Sequence, residues 1–135
     1  MKKNVIPWMM SFFVLLAVAC GKEEAWDYRD AWVGDYSYSY HKYSWNPNGS
    51  GPDYYGEGTL CVRSDEDSCV IIMLNEDSLS WTCSLDLNGI LTLRGDSYRH
   101  FDGRFLAPDS LNINCSNFSP GAGTGWEYFC KKIKK

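Results

Sequence analysis

Cysteines, histidines and a short acidic run are the residues with most chemical scope in this 135-residue sequence. Cys61, Cys69, Cys83, Cys115 and Cys130 show no C-x-x-C spacing, and His41 and His100 are remote from all of them in sequence. Structural zinc draws on closely spaced ligand pairs, so this pattern does not point to zinc. In an oxidising compartment the same cysteines would form disulfides, and Cys61 and Cys69 could bridge a hairpin. Cys83 and Cys115 fall on the apolar side of their strands, which fits either a core disulfide or two small buried hydrophobes. Cys130 joins the set or is the odd thiol, because five cannot all pair.

No catalytic set accompanies these residues. The sequence has no G-x-S-x-G elbow and no H-E-x-x-H helix to organise His41 or His100. Asp65-Glu66-Asp67 lacks the spacing and the glycine of an EF-hand and reads as a solvated hairpin loop. Arg94-Gly95-Asp96 reads as a turn. Gly121-Ala122-Gly123-Thr124-Gly125 precedes a strand, so no helix N-terminus is present to hold a phosphate. The chain is therefore read as non-enzymatic and free of cofactor or metal.

The aromatic residues carry the stronger functional signal. Tyr36, Tyr38, Tyr40, Tyr43, Trp45, Tyr54 and Tyr55 are clustered in one stretch. Tyrosine joins an apolar body to a polar tip, so it suits either a packed β interior or a cup that stacks sugars or encloses a small ligand. These seven are the candidate ligand contacts.

The elements that must position them are strands. Tyr36, Tyr38 and Tyr40 alternate with small or polar residues, which puts these tyrosines on the inner side, and a shift of phase to Tyr43 and Trp45 predicts a bulge near His41 or Lys42. Strands are expected at 57–63 and 69–74, and at Leu79 to Leu87 with Leu79, Trp81, Cys83, Leu85 and Leu87 on one face. Asn88-Gly89 then predicts a type I′ hairpin turn into Ile90–Arg94. A second tight turn is expected at Asp102-Gly103. A strand follows from Ser110 with Leu111, Ile113 and Cys115 on one side, then a glycine-rich loop from Ser119 to Gly125 and a last strand from Trp126 to Ile133. About eight short antiparallel strands with frequent turns predict an all-β barrel or sandwich.

Composition narrows the partners. Aromatic residues make up 16% and charged residues 22%, which argues for a packed domain over disorder. The net charge is −4, and residues 20–130 carry seven basic against 17 acidic side chains, a balance of −10. Such a body disfavours nucleic acid. Lys131, Lys132, Lys134 and Lys135 make the C-terminal end basic.

The N-terminus reads as an address. Lys2 and Lys3 precede an apolar run from Val5 to Ala19, too short to span a bilayer comfortably and typical of a signal peptide. Leu16-Ala17-Val18-Ala19-Cys20 resembles the bacterial lipobox, although leucine is commoner where Ala17 stands. That resemblance implies cleavage before Cys20 and lipid attachment there, giving a membrane anchor. Gly21-Lys22-Glu23-Glu24 resembles the signal that sends Bacteroidetes lipoproteins to the outer surface of the outer membrane. The expected organisation is a signal peptide over 1–19, a lipidated tether over 20–31 and one all-β domain over 32–135.

Trp32-Val33-Gly34, the repeated Asp-Ser-Leu at Asp77–Leu79 and Asp109–Leu111, and the glycine-rich approach to the terminal strand resemble small Bacteroidetes surface lipoproteins with lipocalin-like domains. Asp-Ser-Leu is also similar to the Bacteroidetes O-glycosylation sequence, with Ser78 and Ser110 as acceptors; a turn with an inward leucine explains it equally. The function expected is a surface-tethered module that binds a small molecule, glycan or partner protein. The alternative is a structural or inhibitory accessory subunit acting through its sheet edge or loops.

Overall fold

Period-two alternation carries through nearly every ordered segment, and the strands it builds close on themselves. The computed structural model describes residues 27–66, 68–76 and 78–135. Its strands are β1 Gly34–Asn46, β2 Gly49–Ser50, β3 Tyr54–Ser64, β4 Cys69–Leu74, β5 Ser80–Leu85, β6 Ile90–Leu93, β7 His100–Leu106, β8 Ser110–Ser119 and β9 Ala122–Lys132. The short β2 pairs with the end of β1. The other eight form a meander in which each bonds its neighbour, and β1 bonds β9 through ten residue pairs from Tyr36–Lys132 to Trp45–Gly123. The architecture is an up-and-down β-barrel, which gives each of those eight strands a partner on both sides.

Side chains fill the barrel from end to end. Even-numbered residues of β1, β3 and β4 point inward, as do the odd-numbered residues of β5 and β8. Leu60, Val62, Val70, Ile72, Leu111 and Ile113 form the aliphatic middle. At one end, a 3-10 turn at Tyr28–Ala31 closes the barrel. Trp32 stacks on Phe105 at 5.2 Å, the Tyr36 hydroxyl donates to Trp32 O at 2.7 Å, and the Tyr28 hydroxyl donates to Leu85 O at 2.5 Å. Residues 27–31, assigned to the tether from sequence, thus pack against the domain. The opposite mouth is plugged by rings: Tyr38 and Trp81 meet Tyr128 edge-on at 5.5 Å each, and Trp126 meets Tyr98 at 6.0 Å. Eight-stranded barrels are just wide enough to be filled this way.

Several local expectations are corrected by tertiary contacts. Asp102-Gly103 is no turn but the middle of β7. Gly103 faces inward, where a Cβ would sit 3.0 Å from Leu91 Cδ1 and 3.1 Å from Phe101 Cε1. The loop after β5 is not type I′, because only Gly89 (φ 81°) has positive φ there. Gly89 N–H bonds Asp86 O, while the Asp86 carboxylate accepts from the N–H groups of Asn88 and Ile90. Leu87 consequently lies in the turn, 73% exposed, instead of extending the inward face. The glycine-rich segment is a loop only at Pro120-Gly121; Gly123 and Gly125 are strand residues of β9.

Among the described residues the expected disulfides are not formed. Cys61 pairs with Met73 in the β3–β4 ladder, which sets it four positions from Cys69 along the hairpin. That separation is about 13 Å at the rise of a strand, well beyond disulfide reach. Cys83 and Cys115 are on strands three apart in the barrel order and serve as buried apolar side chains. Burial pushes the thiols of Cys83, Cys115 and Cys130 up to about 12.

Candidate binding surface on the outer barrel wall

The predicted bulge in β1 is absent. β1 keeps one register against β3 from Gly34–Val62 to Lys42–Tyr54, and one register against β9 throughout. Alternation therefore continues unbroken past His41, and the aromatic cluster splits between the two sides of the wall. Tyr36 and Tyr38 are buried in the core, and Tyr40 packs beside them at the mouth. His41, Tyr43 and Trp45 face outward.

On that outer face the rings form a ladder. His41 stacks on Tyr55 with centroids 4.7 Å apart and planes 7° apart, Tyr43 follows at 5.4 Å from His41, and Trp45 stacks on Tyr43 at 5.9 Å. Tyr43 and Trp45 lie across the two β9 residues opposite them, Gly125 and Gly123, where any Cβ would overlap their rings. Glycine leaves room for each ring to settle on the backbone of the next strand, the arrangement by which aromatics compensate glycine in sheets. Burial pushes the Tyr43 phenol above its ordinary range.

His41 also ties the ladder to two acids. Its Nδ1 lies 3.2 Å from Glu127 Oε2 and its Nε2 lies 3.1 Å from Asp53 Oδ1. Ionised carboxylates only accept, and neutral imidazole has a single N–H, so both bonds require the imidazolium form. Asp53, and then Glu127, accordingly raise the His41 pKa above 6.5. The two carboxylates sit at opposite nitrogens and do not converge on one point. Among the described residues no group of three or more His, Cys, Asp or Glu side chains is placed to hold a metal ion.

Two grooves flank Phe129, an outward residue of β9 that is 52% exposed. One, of about 540 Å³, is lined by Ser39, His41, Tyr55 and Glu57. The other, of about 360 Å³, is lined by Asp102, Arg104, Asn112, Asn114 and Glu127. These planar polar side chains beside exposed rings suit a ligand with apolar faces and a hydroxyl-rich rim. The sequence reading missed Phe129, Arg104, Asn112 and Asn114. Their only local signal is that each is an outward position of its strand.

The remaining sequence candidates are scattered. Tyr54 is 55% exposed at the mouth, with the Lys42 ammonium 5.9 Å from its ring centroid. Ser78 is exposed in the turn before β5 with φ 50°. Ser110 begins β8, donating to Asp109 Oδ1 at 3.2 Å and accepting from Lys131 Nζ at 2.9 Å. Cys20 lies outside the described residues. No protein-family model matches this chain, and a search of curated proteins finds no relative of it.

Proposed function

We propose that this chain is a surface-tethered, non-enzymatic module that binds a neutral glycan on its outer wall. The observation that carries the reading is the seating of Tyr43 and Trp45 across Gly125 and Gly123, which fixes two rings outside the core. A ring held this way loses little freedom when a ligand arrives. Sugar C–H groups carry partial positive charge and pack against the negative face of such a ring. Asn112, Asn114 and Glu127 supply hydrogen-bonding partners for hydroxyl groups in the neighbouring groove.

A partner protein acting through strand addition has less support, since β1–β9 pairing closes the barrel. Anchoring through Cys20 would present the wall at the cell surface, and Cys20→Ala is expected to release the chain from the membrane fraction. The glycan reading is tested by calorimetric titration with neutral oligosaccharides, comparing the native chain with Tyr43→Ala and Trp45→Ala. Each substitution should weaken binding about 2–12-fold, from an aromatic contribution of ~0.5–1.5 kcal/mol. Undiminished affinity in the double variant would defeat it.

A further inference from the structure

We infer that the barrel mouth holds a second site, selective for a carboxylated sugar such as a uronate. It goes beyond the outer-wall reading, with which it shares only Trp45 and its seat Gly123 at the rim. Beyond the reach of β3 and β7, the ends of β1, β8 and β9 project as a crest around an open concavity of about 690 Å³. Among the described residues its lining includes Trp45, Arg99, Asn117, Ser119, Thr124 and Trp126, and no carboxylate. In a body with seven basic and 17 acidic residues between positions 20 and 130, a concavity lacking acids is a local reversal of the prevailing field.

Arg99 lines it, and the Lys42 ammonium sits over the ring of its Trp126. Among the described residues, neither Arg99 nor Lys42 makes an ion pair. The Arg99 guanidinium rests 5.7 Å from the Phe118 ring centroid. Its backbone is fixed on β8: Arg99 N–H donates to Ser116 O and to Asn117 Oδ1, both at 3.1 Å, and Asn117 Nδ2 donates to Ser97 O at 3.1 Å. The Lys42 ammonium lies 5.6 Å from the centroid of Trp126, one of the lining residues. A planar carboxylate can take two parallel bonds from a guanidinium, and Lys42 adds a second positive charge nearby. The hydroxyls of Ser119 and Thr124 and the Asn117 amide offer contacts to sugar hydroxyls.

The experiment is a proton–nitrogen NMR titration of the full chain with methyl glucuronide and with methyl glucoside, which differ at the carboxylate. The glucuronide should shift the Arg99, Asn117 and Trp126 signals and bind at least tenfold more tightly, the worth of a charged hydrogen bond. Arg99→Gln should remove that preference while leaving the His41 and Tyr43 signals and the neutral-glycan affinity unchanged. Lys42→Gln should weaken the glucuronide less. Equal binding of the two sugars, no shifts at millimolar glucuronide, or full preference in Arg99→Gln would overturn the inference. Inorganic sulfate binding as strongly as the glucuronide would overturn it too, since a bare anion would then suffice.

Discussion

Tyr43 of β1 lies across Gly125 of β9, its register partner, so closely that no other residue fits at position 125 without moving the ring. Trp45 repeats the relationship with Gly123, and on the inner face Tyr38 and Tyr40 repeat it with Gly58 and Gly56 of β3. β1 is thus seated on glycines along both of its neighbours, with different aromatics serving each side. The strand that closes the barrel is also the one that displays its outer rings.

Gly125→Ala should therefore destabilise the fold by about 1–3 kcal/mol, the usual cost of overpacking. Alanine otherwise suits a strand better than glycine by roughly 0.5–1 kcal/mol. In a Tyr43→Ala background the same change should become neutral or stabilising, since the two positions are in contact. Urea denaturation of the four variants gives the coupling, and additive costs would contradict the seating.

Stability should fall as pH rises past the His41 titration. The folded pKa is raised above 6.5 by Asp53 and Glu127, so the protonated form is favoured by folding. Its contribution is complete below about 6.5 and disappears as pH climbs through the raised value. Imidazole NMR shifts should report that value directly. Asp53→Asn and Glu127→Gln should each lower it, Asp53→Asn by more, and His41→Asn should flatten that part of the stability profile.

Thiol labelling should distinguish the cysteines. Cys61, only partly buried on β3, should react with a thiol reagent at pH 8 in the native chain. Cys83, Cys115 and Cys130, buried and with thiols near 12, should stay silent until unfolding. Peptide mass mapping that found disulfides among the five would refute this arrangement.

Core and surface aromatics should separate cleanly. Tyr36→Ala empties a fully buried position and should cost about 3–5 kcal/mol, close to the whole stability of a small domain. Trp45→Ala should cost far less and act on binding instead. Thermal melts run beside the oligosaccharide titration measure both effects on each variant.

Much of this was legible from local pattern. Alternation at Tyr36, Tyr38 and Tyr40 and at Leu111, Ile113 and Cys115 gave strands with the correct inner face, because side-chain direction along a strand follows from parity. Turn chemistry was less secure. Asn88-Gly89 and Asp102-Gly103 look alike in sequence, but Asp86 captures the first as a turn, while Leu91 needs the missing side chain of Gly103 in the second. The glycines from 121 to 125 read as a loop because the rings that cover two of them are some eighty residues away in the chain.

The sequence by itself determined an all-β chain, an inward row of tyrosines and an acidic body with a basic end. Tertiary structure decided that the sheet closes on itself, that Tyr43 and Trp45 stand outside, and that the cysteines stay apart. Parity and composition are local properties that any strand carries with it. Register, and the company each glycine or cysteine keeps, depend on which strand lies alongside, and that is fixed only when the whole barrel forms.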